Sequence, residues 1–113
     1  MAALIRQAVR DRYDVSSLKV VWHLAAPCPP WLKEAWIEWL GADAIWELYA
    51  GTEAQSVTII SGREWMEHRG TVGKTLAGEM KIVGPDGEDL PAGEVGEIFM
   101  RSSADGSVKT YEY

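Results

Sequence analysis

Leu4, Ile5, Ala8 and Val9, with Arg6, Arg10 and Asp11 between and after them, repeat at the helical period and predict an amphipathic helix over residues 3–13. Asp14 and the pair Ser16-Ser17 break that pattern. The dense apolar run 18–24, with Val20, Val21 and Trp22 at its centre, predicts a buried strand that carries His23. A histidine in such a strand is usually a hydrogen-bonded core or edge residue. Pro27, Pro29 and Pro30 cannot extend a ladder but can open a helix at its first turn. Over residues 30–40, Leu32, Ala35, Trp36, Trp39 and Leu40 form one apolar stripe, and Lys33, Glu34 and Glu38 are expected to face water. Gly41 stops the helix. Trp31 and Ile37 fall off the stripe, so the helix is either covered on two sides or presents apolar surface to a partner.

Residues 44–49 predict the next strand, giving β-α-β with a right-handed crossover. After a turn at Gly51, residues 56–60 predict a short β-branched strand. The stretch 62–70 is polar, with Trp65 and Met66 its only large apolar groups. Beyond Gly70 the texture changes. A glycine-framed loop leads to an alternating strand at 79–83, turn residues at 85–88, a strand at 94–101, and a hairpin signal at Asp105-Gly106 with a return strand over 108–113. The expected fold class is α/β followed by antiparallel β, with a partial doubly wound sheet over 1–62 and a β-rich hairpin portion over 63–113.

The composition, 47% hydrophobic and 25% charged, is that of a globular domain, and 113 residues suffice for one core. Eleven basic against seventeen acidic residues give a net charge of −6, which disfavours a nucleic-acid backbone and offers no polybasic patch for an anionic membrane. A single cysteine, Cys28, cannot form an internal disulfide, and no apolar run reaches membrane-spanning length or resembles a signal peptide. These features favour the cytoplasm. His23, Cys28 and His68 are too few and too scattered for a Cys/His metal cluster, and there is no Gly-x-Ser-x-Gly elbow. The segment Gly70-Thr71-Val72-Gly73-Lys74-Thr75 lacks the Walker spacing and precedes a strand, so its glycines are read as structural.

The stretch with chemical potential is Glu47-Leu48-Tyr49-Ala50-Gly51-Thr52-Glu53. A strand ending in an aromatic ring, then a glycine turn, a hydroxyl and a carboxylate, sets these groups where open α/β sheets bind ligands. A ring can stack on a base, a hydroxyl can donate to phosphate, and a carboxylate can hold Mg2+.

Tyr49-Ala50-Gly51-Thr52-Glu53 resembles the Tyr-Gly-x-Thr-Glu motif of the adenylate-forming superfamily, which includes acyl-CoA synthetases, luciferases and adenylation domains. Two more segments match in order: His23-Leu24-Ala25-Ala26-Pro27 is similar to the loop that packs along adenine, and Gly70 to Lys74 with Gly93 to Ile98 is similar to the barrel-like β subdomain that follows. The wording Ala-Ala-Pro-Cys-Pro-Pro-Trp-Leu-Lys-Glu-Ala-Trp resembles the bile-acid and long-chain fatty acid CoA ligase branch.

The resemblance implies an acid-thiol ligase that uses ATP, Mg2+ and CoA to convert a carboxylic acid first to an acyl adenylate and then to a thioester. It implies that Tyr49 stacks on adenine opposite Ala25, Ala26 and Pro27, with Leu48 beside it and Glu47 placed to reach the adenine amino group. Thr52 is implied to bond the α-phosphate and Glu53 to hold Mg2+, while His23, Ala50 and Gly51 adjoin the acyl pocket. Ala50 stands where the family has glycine. The family's upstream phosphate loop, its ribose-binding aspartate and its carboxyl-terminal lysine domain have no counterpart here, so the resemblance implies a central fragment that is not catalytically competent by itself. The alternative is a non-catalytic interaction module that keeps the fold. An unpaired strand edge and the off-stripe apolar groups further predict self-association, as a homodimer.

Overall fold

The computed structural model describes residues 5–102. Its elements are α1 (Gln7–Arg10), β1 (Val21–His23), α2 (Pro30–Leu40), β2 (Ile45–Ala50), β3 (Ser56–Ser61), α3 (Gly62–Glu67), β4 (Lys74–Val83) and β5 (Glu97–Arg101). The strands form an open sheet in the order β1-β2-β3-β4-β5. The β1/β2 pair is parallel and the β4/β5 pair antiparallel, which makes the sheet mixed. The chain folds as two compact units that interleave in sequence: one runs to Tyr49 and resumes over Ile59–Gly73, and the other takes Ala50–Thr58 and resumes at Lys74.

In the first unit α2 spans the residues its stripe predicts. Pro30 occupies its first turn, where a missing N–H costs nothing, and Gly41 ends it at φ 88° with its N–H donating to the Ile37 carbonyl at 2.8 Å. The core is Leu32 and Trp36 of α2 against Ile45 of β2, with Val21, Cys28, Ile37, Trp39 and Leu40 packed around it. Trp36 and Trp39 set their ring centroids 5.1 Å apart.

Three expectations need correction. The strand over 18–24 shrinks to Val21–His23 and only His23 is buried, because β1 is an edge of the sheet; Leu18, Val20, Trp22 and Leu24 are all exposed. The first helix keeps one turn, since the Asp14 carboxylate accepts the Ser16 N–H at 2.9 Å and commits the following residues to a turn. The polar stretch after residue 61 contains a helix, α3. Its start is a capping box: Ser61 Oγ accepts the Glu64 N–H at 3.2 Å while the Glu64 carboxylate accepts the Ser61 N–H at 3.1 Å. Trp65 anchors it, 3% exposed, and a Cβ at Gly62 would lie 2.7 Å from the Ala42 carbonyl oxygen. Arg63 clamps Asp43 through two hydrogen bonds of 2.9 and 2.7 Å, on the surface.

In the second unit β4 pairs with β5 from Glu79↔Arg101 to Val83↔Glu97. The intervening turn closes through Gly84 N–H to the Glu88 carbonyl at 2.9 Å. The strand begins at Lys74, earlier than its alternation suggests. Gly78 lies at φ 75°, where a Cβ would stand 2.2 Å from the Gln55 carbonyl oxygen and 2.6 Å from that of Arg101, so backbone crowding explains this glycine. The hairpin signal at Asp105-Gly106 and the strand expected over 108–113 lie outside the described residues.

Trp36→Ala is expected to destabilise the protein by about 3 to 5 kcal/mol, read as a lower urea midpoint. The Asp43 carboxyl is held below its ordinary range, first by its hydrogen bonds from Arg63 and then by the guanidinium charge. A depressed carboxyl stabilises the fold above the unfolded-state value of about 3.9 and loses that contribution as pH falls through the lower folded value. The stability gap between the wild type and Asp43→Asn should therefore hold constant from neutral pH to about 5 and close in stronger acid, measured by denaturant melts across that range.

Candidate functional site

The parallel register sets His23 opposite Glu47. The loop leaving β1 and the residues after Glu47 therefore emerge at the carboxyl ends of neighbouring parallel strands, where open α/β sheets bind ligands. Glu47 and Tyr49 alternate onto one face of β2 and Leu48 onto the other. Glu47, Leu48 and Tyr49 are all half-buried.

The loop itself is constrained. Ala25 sits at φ 67°, a left-handed conformation that costs a non-glycine residue about 1 to 3 kcal/mol. One residue later the Ala26 carbonyl accepts a hydrogen bond of 2.8 Å from His23 Nε2. A carbonyl can only accept, so Nε2 carries the hydrogen. His23 is buried, and its other nitrogen, Nδ1, lies 3.6 Å from Glu47 Oε1. That distance is an electrostatic contact rather than a hydrogen bond, and Nδ1 has no hydrogen-bond partner. Ala25, Ala26 and Pro27 are exposed, which leaves their backbone open to a ligand.

Lys33 corrects the expectation that it faces water: it is 3% exposed. Its Nζ donates to Glu47 Oε2 and lies 4.7 Å from the centroid of the Trp65 ring. Helical periodicity places Lys33 beside the stripe residue Leu32 but says nothing of what waits across from it. A buried ammonium needs a paired carboxylate, and Glu47 supplies one. Arg69 ion-pairs with Glu34 and approaches the same Trp65 ring to 5.9 Å.

The turn after β2 belongs to the second unit. Ala50 is exposed, the Ala54 N–H donates to the Gly51 carbonyl at 3.0 Å, and Ala54 takes φ 53°. Thr52 is exposed on this turn, while Glu53 is half-buried and its Oε2 accepts from Gln55 Nε2 at 3.3 Å. Gln55 Oε1 is buried without a partner, and a Cβ on Gly51 would lie 2.4 Å from it. The Glu53 carboxylate is the kind of hard oxygen ligand that Mg2+ takes together with phosphate and water oxygens. Among the described residues no group of three or more His, Cys, Asp or Glu side chains could hold a metal without such help.

The structure thus connects His23 to both Ala26 and Glu47, and carries Tyr49 on the face that Glu47 occupies. Lys33, Gln55 and Trp65 were missed by sequence reasoning. The only available trace was a lysine adjoining an apolar stripe whose partner strand contains a glutamate. Burial pushes the Cys28 thiol upward, and its side chain packs on the core. A groove of about 400 Å³ over the β4/β5 hairpin is lined by Glu79, Lys81, Phe99 and Arg101 among others, which include the Lys81–Asp89 and Arg101–Glu79 ion pairs. It includes no residue of the β1 or β2 ends.

The sequence profile of the AMP-binding enzyme family matches residues 1–111. The amide bond synthetase McbA from Marinactinospora thermotolerans is 30% identical, with a TM-score of 0.75 over 88% of this chain and 21% of that one. The anthranilate CoA ligase AuaEII, solved in complex with anthranoyl-AMP, is 30% identical, with a TM-score of 0.68 over 89% of this chain and 19% of its own. The luciferase-like enzyme of the nonluminescent mealworm Zophobas morio shares the fold at 20% identity and a TM-score of 0.64, over 88% of this chain and 25% of its own. The chain accordingly spans 21% or less of the first two structures.

Proposed function

We propose that this chain, which belongs to the AMP-binding enzyme family, supplies the purine-facing and phosphate-facing part of an ATP-dependent acid-thiol ligase. The observation that carries this reading is the parallel register of β1 and β2, which brings the exposed Ala25-Ala26-Pro27 backbone and the Tyr49 ring to the carboxyl ends of adjacent strands. In this reading adenine packs against that backbone and stacks on Tyr49, with the Leu48 backbone beside it. The Thr52 hydroxyl donates to an α-phosphate oxygen, and the Glu53 carboxylate would hold Mg2+, which would neutralise phosphate charge. An oxygen of the acid's carboxylate attacks the α-phosphorus and the bond to pyrophosphate breaks; the CoA sulfur, its proton lost to solvent, then attacks the acyl carbon and AMP leaves. Ala50 and Gly51, which follow Tyr49, are proposed to adjoin the acyl pocket.

Long-chain or bile acids are the proposed substrates, on the wording of the segment from Ala25 to Trp36. The amide bond synthetase and the anthranilate CoA ligase are each 30% identical to this chain, and the CoA thiol is the proposed acceptor. A cytoplasmic location fits the proposed chemistry and the single cysteine. Residues 1–62 are proposed as the nucleotide-binding α/β portion and 63–113 as the hairpin portion.

A second reading rests on a separate observation. Trp31, Trp22 and Leu24 are 57%, 46% and 52% exposed. Covering a large apolar side chain is worth about 1.5 to 3 kcal/mol, so these groups favour a chain that pairs with a second copy or docks on another protein.

Titration of the chain with AMP tests the first reading. Tyr49→Ala should weaken binding about fivefold, the equivalent of roughly 1 kcal/mol of lost stacking, and an unchanged dissociation constant would remove Tyr49 from the site. Sedimentation at micromolar concentration tests the second, with a dimer expected. A 12.5 kDa monomer would count against it.

A further inference from the structure

The purine-facing loop holds a shape that its own residues do not prefer. Ala25 has no side chain that could hydrogen-bond its left-handed conformation into place, so its cost must be offset from outside the loop. The nearest outside restraint is the His23 Nε2–H bond to the Ala26 carbonyl. That restraint is only as good as the orientation of the imidazole, which is buried and therefore set by its neighbours.

Those neighbours are charged. Glu47 Oε1 faces Nδ1 at 3.6 Å, and Glu47 Oε2 accepts from Lys33. Nδ1 faces this carboxylate without a hydrogen bond, so the field that the ring meets there depends on how the carboxylate's charge is balanced. The Lys33 ammonium provides that balance, and the face of Trp65 at 4.7 Å supports the ammonium in turn. Bringing a lysine to 3% exposure costs several kcal/mol before pairing. Replacing both members of such a pair by apolar residues is often neutral or stabilising, so net stability alone does not account for this one.

We infer that Lys33 and Glu47 are positioning residues: their buried ion pair fixes the His23 ring so that Nε2–H holds the Ala26 carbonyl and keeps Ala25-Ala26-Pro27 in its left-handed turn. This rests on the reading of that loop as the purine-facing surface. It assigns Glu47 a role through His23, with its carboxylate engaged by Lys33 rather than offered to the ligand. Lys33 acts at one remove further, from α2.

Nuclear magnetic resonance on the chain separates the steps. A left-handed Ala25 gives an unusually strong contact between its own amide and α hydrogens, and the ring-nitrogen shifts of His23 report which nitrogen bears hydrogen. Lys33→Met, which keeps the stem and removes the charge, should change the His23 pattern and abolish the Ala25 signature, while Lys33→Arg should restore both. AMP affinity should fall about tenfold in Lys33→Met, a loss of roughly 1.4 kcal/mol. Should Lys33→Met not fold, His23→Phe keeps an aromatic ring at that position without the hydrogen bond and should lose the Ala25 signature. A folded Lys33→Met with wild-type His23 and Ala25 signals would overturn the inference, as would a left-handed Ala25 in His23→Phe. Failure of the wild type to bind AMP would count against the nucleotide reading only, because the two resonance signatures decide the positioning role without ligand.

Discussion

A lysine ammonium with 3% exposure, held by one glutamate, is the constraint on which the first unit depends. The pair joins α2 to β2 at the level where β1 meets β2, since Glu47 also stands opposite His23. Replacing such a pair by apolar residues often stabilises a protein, whereas removing one partner leaves a buried charge and is costly. The arrangement therefore fixes relative position more than it adds net stability. Leu32, Trp36 and Ile45 supply the apolar burial, and the ion pair ties α2 to β2 beside it.

Much of this fold was legible in the residues. The stripe from Leu32 to Leu40, bounded by Pro30 and Gly41, identifies α2 to its last residue, because proline and glycine act on the backbone locally and independently of tertiary context. The alternation of Ser56, Thr58 and Ile60 with half-buried neighbours is a strand at its native period. The helix α3 was overlooked because its stripe amounts to one tryptophan, and its signal was the capping box at Ser61 and Glu64. The run around Trp22 misled, since apolar density does not distinguish a central strand from an edge.

The site divides in the same way. Motif spacing places Tyr49, Thr52 and Glu53 at the end of a strand and its turn, and the loop at Ala25 after another. What spacing cannot contain is the cross-chain chemistry: the His23 bond to Ala26, the burial of Lys33, and the unpartnered Gln55 Oε1 beside Glu53. These depend on residues that are distant in sequence or unremarkable in type. The family match over 1–111 fixes the superfamily, and the chain spans 21% or less of two of its solved relatives.

The interleaving of the two units bears on how the gene can change. β3 begins in one unit, at Ser56 to Thr58, and ends in the other, from Ile59 onward. Because side chains alternate along a strand, deleting a single codon there would exchange inward and outward positions for everything on one side of the deletion. Ser56, Thr58 and Ile60 could not all remain buried. The strand thus works as a reading-frame lock within the folded protein: insertions and deletions are tolerable in the turn at 84–88, but within β3 they would misphase one unit or the other. Exchange of whole segments between related genes meets the same barrier, since no single crossover point separates the two units intact.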